Sequence, residues 1–545
     1  MRGLRRLGRF MNLLRKITSS KFFNLEIFSF IIFIVIHIGL FNVNTAEWGD
    51  SYRILRASEF VRNWTYPSNE KRPPLFSIFT ALRPVFIEPV IWGRVVMLIF
   101  SILSFLLFSN LVKMYIKNQK YRFLATMLFI FNPIYLYWSI RIMADVPFSF
   151  FVMLGFFISK KMPDNSIKKY ILLGLISGLS ILTRFEGYLF LISLLAGAIL
   201  NELNLKIDLK KVNRLVPVLF SQTSKNWKKI ITLGVTALIT IFPWILYRNP
   251  FDSSYFEETT RRIYDLKMVW VYLVSLLFSL GFVVAFYFIF RGYRIIGDFF
   301  SKNVDIALFT ILELVLILLW PSAVPRLFVV LMPLFILILT KCIENNLELA
   351  ENVNKKKIIS NLVFPFLLLV FVLSQYFLRL QFLITDKILF GLLVFIQIVV
   401  IFSYILKKKI LFLTLIVTSN IVWSLSIIFM HKDIYTAIKS AAIYSRDKLD
   451  GNIIYNDTAS VADWYINYYN PREGLTGKKM NFMIKDELRY NSLSRKKVSY
   501  VIATNENGAL FYKDIDKLEY LKLIKSFRYN IGDKELFANI YKFER

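Results

Sequence analysis

Residues 89–112 read PVIWGRVVMLIFSILSFLLFSNLV, a run of 24 residues whose single charge is Arg94. A helix of this length rises about 36 Å, which is enough to cross about 30 Å of hydrocarbon. Comparable apolar runs recur along the chain, which is 56% hydrophobic and 17% aromatic. Backbone groups inside a bilayer need internal partners, and these runs are too long for barrel strands. They therefore predict an all-α polytopic membrane domain.

We predict 13 transmembrane helices. The segment 170–200 is the ambiguous one, because it could form one long helix or two short ones. Lys-rich loops flank it on both sides, which favours two crossings with Arg184 and Glu186 at an external turn. Besides that pair, the predicted spans lie near residues 22–41, 89–112, 123–138, 147–159, 230–246, 268–290, 305–320, 326–340, 358–378, 388–406 and 410–430.

The formal net charge of +31 is distributed along the chain in a way that indicates a membrane orientation. Its excess lies in alternate interhelix loops and in the basic N-terminal arm, as the positive-inside rule predicts. A nucleic-acid-binding protein would instead gather base in one folded patch, so no nucleic-acid partner is expected. We predict a cell (plasma) membrane protein with a cytoplasmic N-terminus, an uncleaved first span and an extracytoplasmic C-terminus.

The composition changes near Asp450. Short β-rich runs (NIIYN, VSYVIAT, ELFANIYKF) alternate with helical patterns (TASVADWYINYY, KDIDKLEYLKLI), which predicts a small α/β domain. Asp457 or Thr458 is a candidate cap for the first of these helices. The predicted organisation is a cytoplasmic arm (1–21), a transmembrane domain (22–430) containing an external loop (42–88), and an extracytoplasmic domain (431–545).

Cysteine and histidine content restricts the possible metal and redox chemistry. Cys342 is the only cysteine, which excludes an intramolecular disulfide and a Cys-based metal cluster. The two histidines, His37 and His431, exclude a multi-histidine metal site and are expected to be structural.

Under this topology a set of polar side chains converges on the external face. Arginine binds phosphate through paired hydrogen bonds and can neutralise a departing phosphate. A carboxylate can deprotonate an acceptor hydroxyl or hold a divalent cation such as Mg²⁺ or Mn²⁺. We therefore expect a site for a phosphate-bearing lipid. The candidates are Asp50 and Asp145 as catalytic or metal-binding acids, with Tyr52, Lys71, Arg72, Arg184, Glu186, Arg248 and Arg326 as substrate-binding residues.

Each candidate also has a structural interpretation. An interfacial arginine can anchor a helix end, and Asp145 can cap the helix whose first turn contains Pro147. Glu313 lies inside a predicted span, where an acid is either functional or a neutral, hydrogen-bonded packing residue.

The order of motifs resembles a known family. WGDSY (48–52), RPPLFSIFTALRP (72–84) and SIRIMADVPFSFFVMLGFF (139–157) are followed by GLISGLSILTRFEGYLFLI (174–192), PWILYRNP (243–250) and VPRLFVVLMPLFILIL (324–339). This order resembles the polyprenyl-phosphate-sugar-dependent glycosyltransferases of the GT-C fold, in particular protein O-mannosyltransferases and lipid A aminoarabinose transferases. The family often has Asp-Glu where this chain has Asp50-Ser51, and a His where it has Arg72.

The resemblance implies roles for four residues. Asp50 matches the first-loop acid and Asp145 the second acid, while Arg184 and Arg326 match basic positions near the lipid phosphate. It implies an inverting hexosyltransferase that uses a polyprenyl- or dolichyl-phosphate sugar and a protein, lipid or glycan acceptor. The alternatives are a flippase or transporter of polyprenyl-linked sugars, which tends to show internal repeats, and a scaffold protein acting through its external domain.

Overall fold

The computed structural model describes most of the chain as packed helices followed by a small sheet. The described residues are 25–70, 72–200, 215–248, 284–320, 324–349, 387–457, 459–480, 488–506, 514–531 and 534–544, with positions 268, 269, 272, 276 and 280. The fold class predicted from the sequence is therefore confirmed, namely a helical membrane domain with a C-terminal α/β domain.

The helices up to the C-terminal domain include long apolar segments and shorter ones between them. In chain order they are α1 Leu25–Gly39, α2 Gly49–Arg62, α3 Leu75–Ala81, α4 Pro89–Tyr115, α5 Gln119–Ile130, α6 Pro133–Ser139, α7 Asp145–Lys161, α8 Ile167–Thr183, α9 Gly187–Leu200, α10 Leu215–Tyr247, α11 Val284–Arg291, α12 Tyr293–Lys302, α13 Val304–Leu319, a 3-10 helix Pro325–Val330, α14 Met332–Leu349, α15 Lys387–Ile405 and α16 Lys409–Met430.

Three described helical segments are long and apolar enough to cross a membrane: α4, residues Thr223–Tyr247 of α10, and α16. Leu25–Gly39, Gly187–Leu200 and Gly391–Ile405 are apolar but shorter. The count of 13 spans remains a prediction. The predicted span 358–378 and about half of 268–290 lie outside the described residues.

Two predicted spans differ in detail from the observed helices. The segment 123–138 is broken between α5 and α6, where the Asn132 side chain accepts a hydrogen bond from Tyr135 N at 2.9 Å and Pro133 begins the new helix. Asn132 as a cap and Pro133 at the first position together start a helix, which explains the break. The segment 326–340 begins as a 3-10 helix, whereas the break predicted in 170–200 is present at residues 184–186.

The segment predicted as the first external loop is folded and fastened to the bundle. It contains α2 and α3, and a buried ion pair joins it to α4, with Arg94 Nε 2.7 Å from Glu47 Oε1. Arg94 also donates to Asn42 Oδ1 and to the Asn44 carbonyl. Because a buried pair is stable only when its remaining donors are satisfied, this network holds the start of the loop in one arrangement.

The C-terminal domain consists of a five-stranded sheet with short helices. Its elements are α17 Thr436–Lys448, β1 Gly451–Tyr455, α18 Val461–Asp463 continued by a π-helix Trp464–Tyr468, β2 Leu475–Lys479, α19 Tyr490–Arg495, β3 Val498–Thr504, a 3-10 helix Ile515–Lys517, β4 Leu521–Ile531 and β5 Lys534–Phe543. The strand order is β2-β1-β3-β5-β4, with β1 parallel to β2 and β3, and with β5 antiparallel to β3 and β4.

One predicted helix of this domain is wrong. KDIDKLEYLKLI forms a single 3-10 turn and then enters β4, which continues to Ile531. Apolar side chains recur at every second residue from Phe527 to Ile531, and the pairing with β5 shifts between Leu523 and Lys525. That shift interrupts the two-residue period and makes the segment resemble a helix.

Candidate active site

Asp50 lies in the first turn of α2, with its carboxylate held by two arginines from distant parts of the chain. Arg326 Nη1 is 2.5 Å from Oδ2, and Arg72 Nη2 is 2.5 Å from Oδ1. The side chain is 25% exposed. Burial alone would raise the pKa of this carboxyl, but the guanidiniums of Arg72, Arg326 and Arg53 outweigh it and hold the pKa well below its usual range.

Asp145 is the first residue of α7 and is buried. The N-cap position of this helix is Ala144, so Asp145 lies one residue inside the helix, and Arg184 Nη1 lies 2.5 Å from its Oδ1. Arg184 also pairs with Glu186, both of them in the break between α8 and α9. Burial would raise the pKa of Glu186, but Arg184 lowers it below the ordinary value.

The two acid–arginine groups belong to one site. Arg326 Nη1 lies 3.6 Å from Met143 Sδ, two residues before Asp145, and Asp145 interacts electrostatically with Arg326. Glu186 also interacts electrostatically with Arg326. We call this set the acid–arginine cluster; its members are Asp50, Arg72, Asp145, Arg184, Glu186 and Arg326.

The segment before α3 positions Arg72. Tyr66 Oη donates to the Arg72 carbonyl at 2.9 Å, and Glu70 Oε1 accepts from Arg72 Nη1 at 2.8 Å. Arg248, at the end of α10, donates to the carbonyls of Ser68 and Glu70 rather than to the cluster. Arg248 thus holds the segment that carries Arg72. Lys71 lies outside the described residues.

The structure places Tyr52 away from the carboxylates of the cluster. Its side chain is buried, its hydroxyl accepts from Glu47 N at 3.1 Å, and its ring packs edge-on against Tyr465 at 5.7 Å. Tyr52 therefore packs between α2 and the C-terminal domain. The sequence does not predict this contact between α2 and the C-terminal domain. It does not predict the Glu47–Arg94 pair either, although an arginine inside an apolar run is a signal for such a pair.

The C-terminal domain contacts the helix that carries Asp50. A Cβ placed at Gly49 would overlap the backbone of Ala459, so α2 and the residues after β1 touch directly. Arg53 Nε donates to Ser460 Oγ at 3.3 Å. Asp457 fixes the same residues by accepting from Ala459 N and from Ala462 N, each at 2.7 Å, although the N-cap position of the first helix is Ser460; Thr458 lies outside the described residues.

Glu313 is buried in α13 beside the cluster. It interacts electrostatically with Glu186, Arg184 and Asp145, and its Oε2 has no hydrogen-bond partner within the described part of the chain. A buried acid with one unpartnered oxygen therefore adjoins the second acid of the site.

The carboxylates as arranged do not fit a divalent cation. Among the described residues no group of three or more His, Cys, Asp or Glu comes together to hold a metal ion. Both oxygens of Asp50 are bonded to guanidiniums, and Oδ1 of Asp145 is bonded to Arg184, so positive side chains stand where a cation would sit.

Comparisons with known proteins agree with the sequence resemblance. Residues 71–257 match the model of the PMT family, dolichyl-phosphate-mannose-protein mannosyltransferase. A search of the curated proteins found no match.

Two solved structures share the architecture over most of the chain. ArnT from Cupriavidus metallidurans bound to undecaprenyl phosphate superposes with a TM-score of 0.57 at 11% identity, over 93% of this chain and 97% of ArnT. The oligosaccharyltransferase AglB from Archaeoglobus fulgidus, in complex with an inhibitory peptide and a dolichol-phosphate, gives 0.50 at 12% identity, over 94% of this chain and 74% of AglB. The chain therefore has the fold of the GT-C glycosyltransferases, and its resemblance to the polyprenyl-phosphate-sugar-dependent members is confirmed.

Proposed function

We propose that the protein is an inverting glycosyltransferase. It takes a hexose from a polyprenyl- or dolichyl-phosphate donor and transfers it to a hydroxyl of an extracytoplasmic protein, lipid or glycan. The observation that carries this proposal is the acid–arginine cluster, in which Arg72 and Arg326 meet Asp50 beside the Arg184–Asp145 pair. The phosphate-bearing lipids in ArnT and AglB, together with the mannosyltransferase family match, support it.

The cluster can bind the donor phosphate through its arginines. Arg326 Nε has no hydrogen-bond partner among the described residues, so the guanidinium retains a donor beyond its bond to Asp50. Arg184 lies on the neighbouring pair and adds a second positive group. Partly buried guanidiniums favour the phosphate most as its charge grows during bond cleavage, and such differential binding accelerates the reaction.

Asp50 is the base in this mechanism. Its carboxylate removes the proton of the acceptor hydroxyl, and that oxygen bonds to the anomeric carbon while the bond from this carbon to the phosphate oxygen breaks. The phosphate leaves with the electron pair and is neutralised by Arg326 and Arg184. Asp145 positions Arg184 for this task.

The test is Asp50→Asn in proteoliposomes supplied with a labelled lipid-phosphate hexose. We expect transfer to fall by about 10²–10⁴-fold, the usual contribution of a general base. Binding of the lipid phosphate should persist or tighten, because Arg72 and Arg326 lose an anionic competitor.

The matched control is Asp447→Asn, an exposed acid paired only locally with Arg446, which should transfer at the wild-type rate. Wild-type transfer by the Asp50 variant would remove Asp50 from the mechanism. Movement of label between leaflets without transfer would instead identify a transporter.

A further inference from the structure

Two neighbouring turns of the first external loop present large apolar side chains to the outside. Trp64, after α2, is 96% exposed, and Phe86, between α3 and α4, is 89% exposed. Leu82 and Val85 are exposed beside Phe86. We call these four residues the apolar tip. Exposed apolar side chains gathered in one place indicate an interaction surface.

Trp64 adopts a backbone conformation that is unfavourable for a tryptophan. Trp64 N bonds to the Val61 carbonyl and Thr65 N to the Phe60 carbonyl, which closes the end of α2 in a Schellman motif. The residue at this position is left-handed, with φ of 56°, where glycine is usual. A tryptophan held here against its backbone preference, with its ring exposed, points to a role outside the loop itself.

The charged side chains beneath the tip form hydrogen bonds and an ion pair within the loop. Arg62 Nη1 donates to the carbonyls of Ala81, at 3.3 Å, and Arg83, at 2.6 Å, and so joins the two turns. Arg83 Nη2 lies 3.2 Å from Glu59 Oε1. The turns therefore form one braced unit whose outward face is apolar.

The position of the unit relative to the spanning helices identifies its partner. Phe86 precedes the first residue of α4 by three residues, which span at most about 10 Å. On the other side, Tyr66 N donates to Tyr247 Oη at 3.1 Å, at the end of the spanning segment of α10. The unit is thus fastened at the depth where both spanning helices leave the bilayer.

We propose that the apolar tip inserts into the boundary between head groups and acyl chains of the membrane leaflet at the external face. Tryptophan and phenylalanine favour this boundary, and lipid is the apolar phase already present at that depth. The insertion sets the depth, relative to the membrane, of the segment that carries Arg72. It does not depend on the chemistry proposed for the site.

The experiment labels Phe86→Cys and Trp64→Cys with a polarity-sensitive fluorophore in full-length protein reconstituted into phosphatidylethanolamine–phosphatidylglycerol vesicles. The native Cys342 is buried, so the wild-type chain measures background labelling. Leu523→Cys, at a half-exposed position on β4, is the matched control. We expect blue-shifted emission at 86 and 64, quenched several-fold more strongly by shallow spin-labelled phospholipid than at 523.

Equal quenching by aqueous iodide at 86 and 523 would overturn the proposal, because the tip would then lie in water. Exclusion of both quenchers would also overturn it, because a protein surface would then cover the tip. As a second measurement, Trp64→Gly relieves the left-handed strain, so it should keep or raise the melting temperature in detergent while weakening the quenching of the label at position 86 by shallow spin-labelled phospholipid. Unchanged quenching at position 86 in this variant would contradict the role of Trp64.

Discussion

Gly49→Ala tests whether the C-terminal domain holds Asp50 in place. The new Cβ would lie 2.6 Å from Ala459 Cα and 2.7 Å from Ala459 Cβ, well inside ordinary contact. Because the obstruction is mostly backbone, α2 or the residues after β1 must move by roughly 1 Å, and a displacement of this size can cost about 10² in rate. Asp50 is the next residue, so its bonds to Arg72 and Arg326 would be misaligned.

The assay is steady-state transfer from a labelled lipid-phosphate hexose, together with thermal unfolding in detergent. We expect kcat to fall by about 10²-fold while KM for the donor changes little, and stability to fall by about 1–3 kcal/mol from overpacking. Gly297→Ala, where no atom lies within 4 Å of the added Cβ, is the control and should behave as wild type. An unchanged kcat in a folded Gly49 variant would refute the positional argument.

Three further predictions concern separate charged groups. Arg326→Lys keeps the charge but loses the paired geometry, so kcat should fall by about 10²-fold in the same transfer assay, and an unchanged kcat would argue against phosphate contact. Arg94→Met leaves Glu47 buried without its partner and should cost about 3–5 kcal/mol in thermal unfolding, partly restored by adding Glu47→Gln. Burial raises the pKa of Glu506 from 4.5 to about 7, so its contribution to stability is present below pH 4.5 and lost as pH rises through 7. Glu506→Gln should flatten stability across that range, and an unchanged slope would contradict this assignment.

The sequence predicts the long apolar helices α4 and α16 and the spanning segment of α10, because hydrophobic length alone indicates them. It also predicts the break at Arg184–Glu186, since the Lys-rich loops on both sides require an even number of crossings. It does not predict the helices α2 and α3 of the external loop. These helices lack a long apolar run and are held by contacts to each other and to other segments, such as Arg62 to Ala81 and Arg53 to Ser460.

The sequence predicts which residues form the candidate site, but it does not predict which acid pairs with which arginine. Asp50 and Arg326 are 276 residues apart, and only the packed bundle decides which arginine meets which acid. Arg248 and Arg326 have the same sequence signature at external helix ends. One of them bonds to backbone carbonyls and the other to a catalytic candidate.

The two arginine contacts to Asp50 affect the order in which the sugar donor and the acceptor act. A carboxylate with a guanidinium on each oxygen is a weak proton acceptor. An acceptor hydroxyl that arrives first would therefore meet an inactive base. A donor phosphate competes for the same guanidiniums and would release the carboxylate as it binds. The base would then become active only when the sugar donor is bound, which predicts an ordered reaction in which the donor binds before the acceptor is deprotonated.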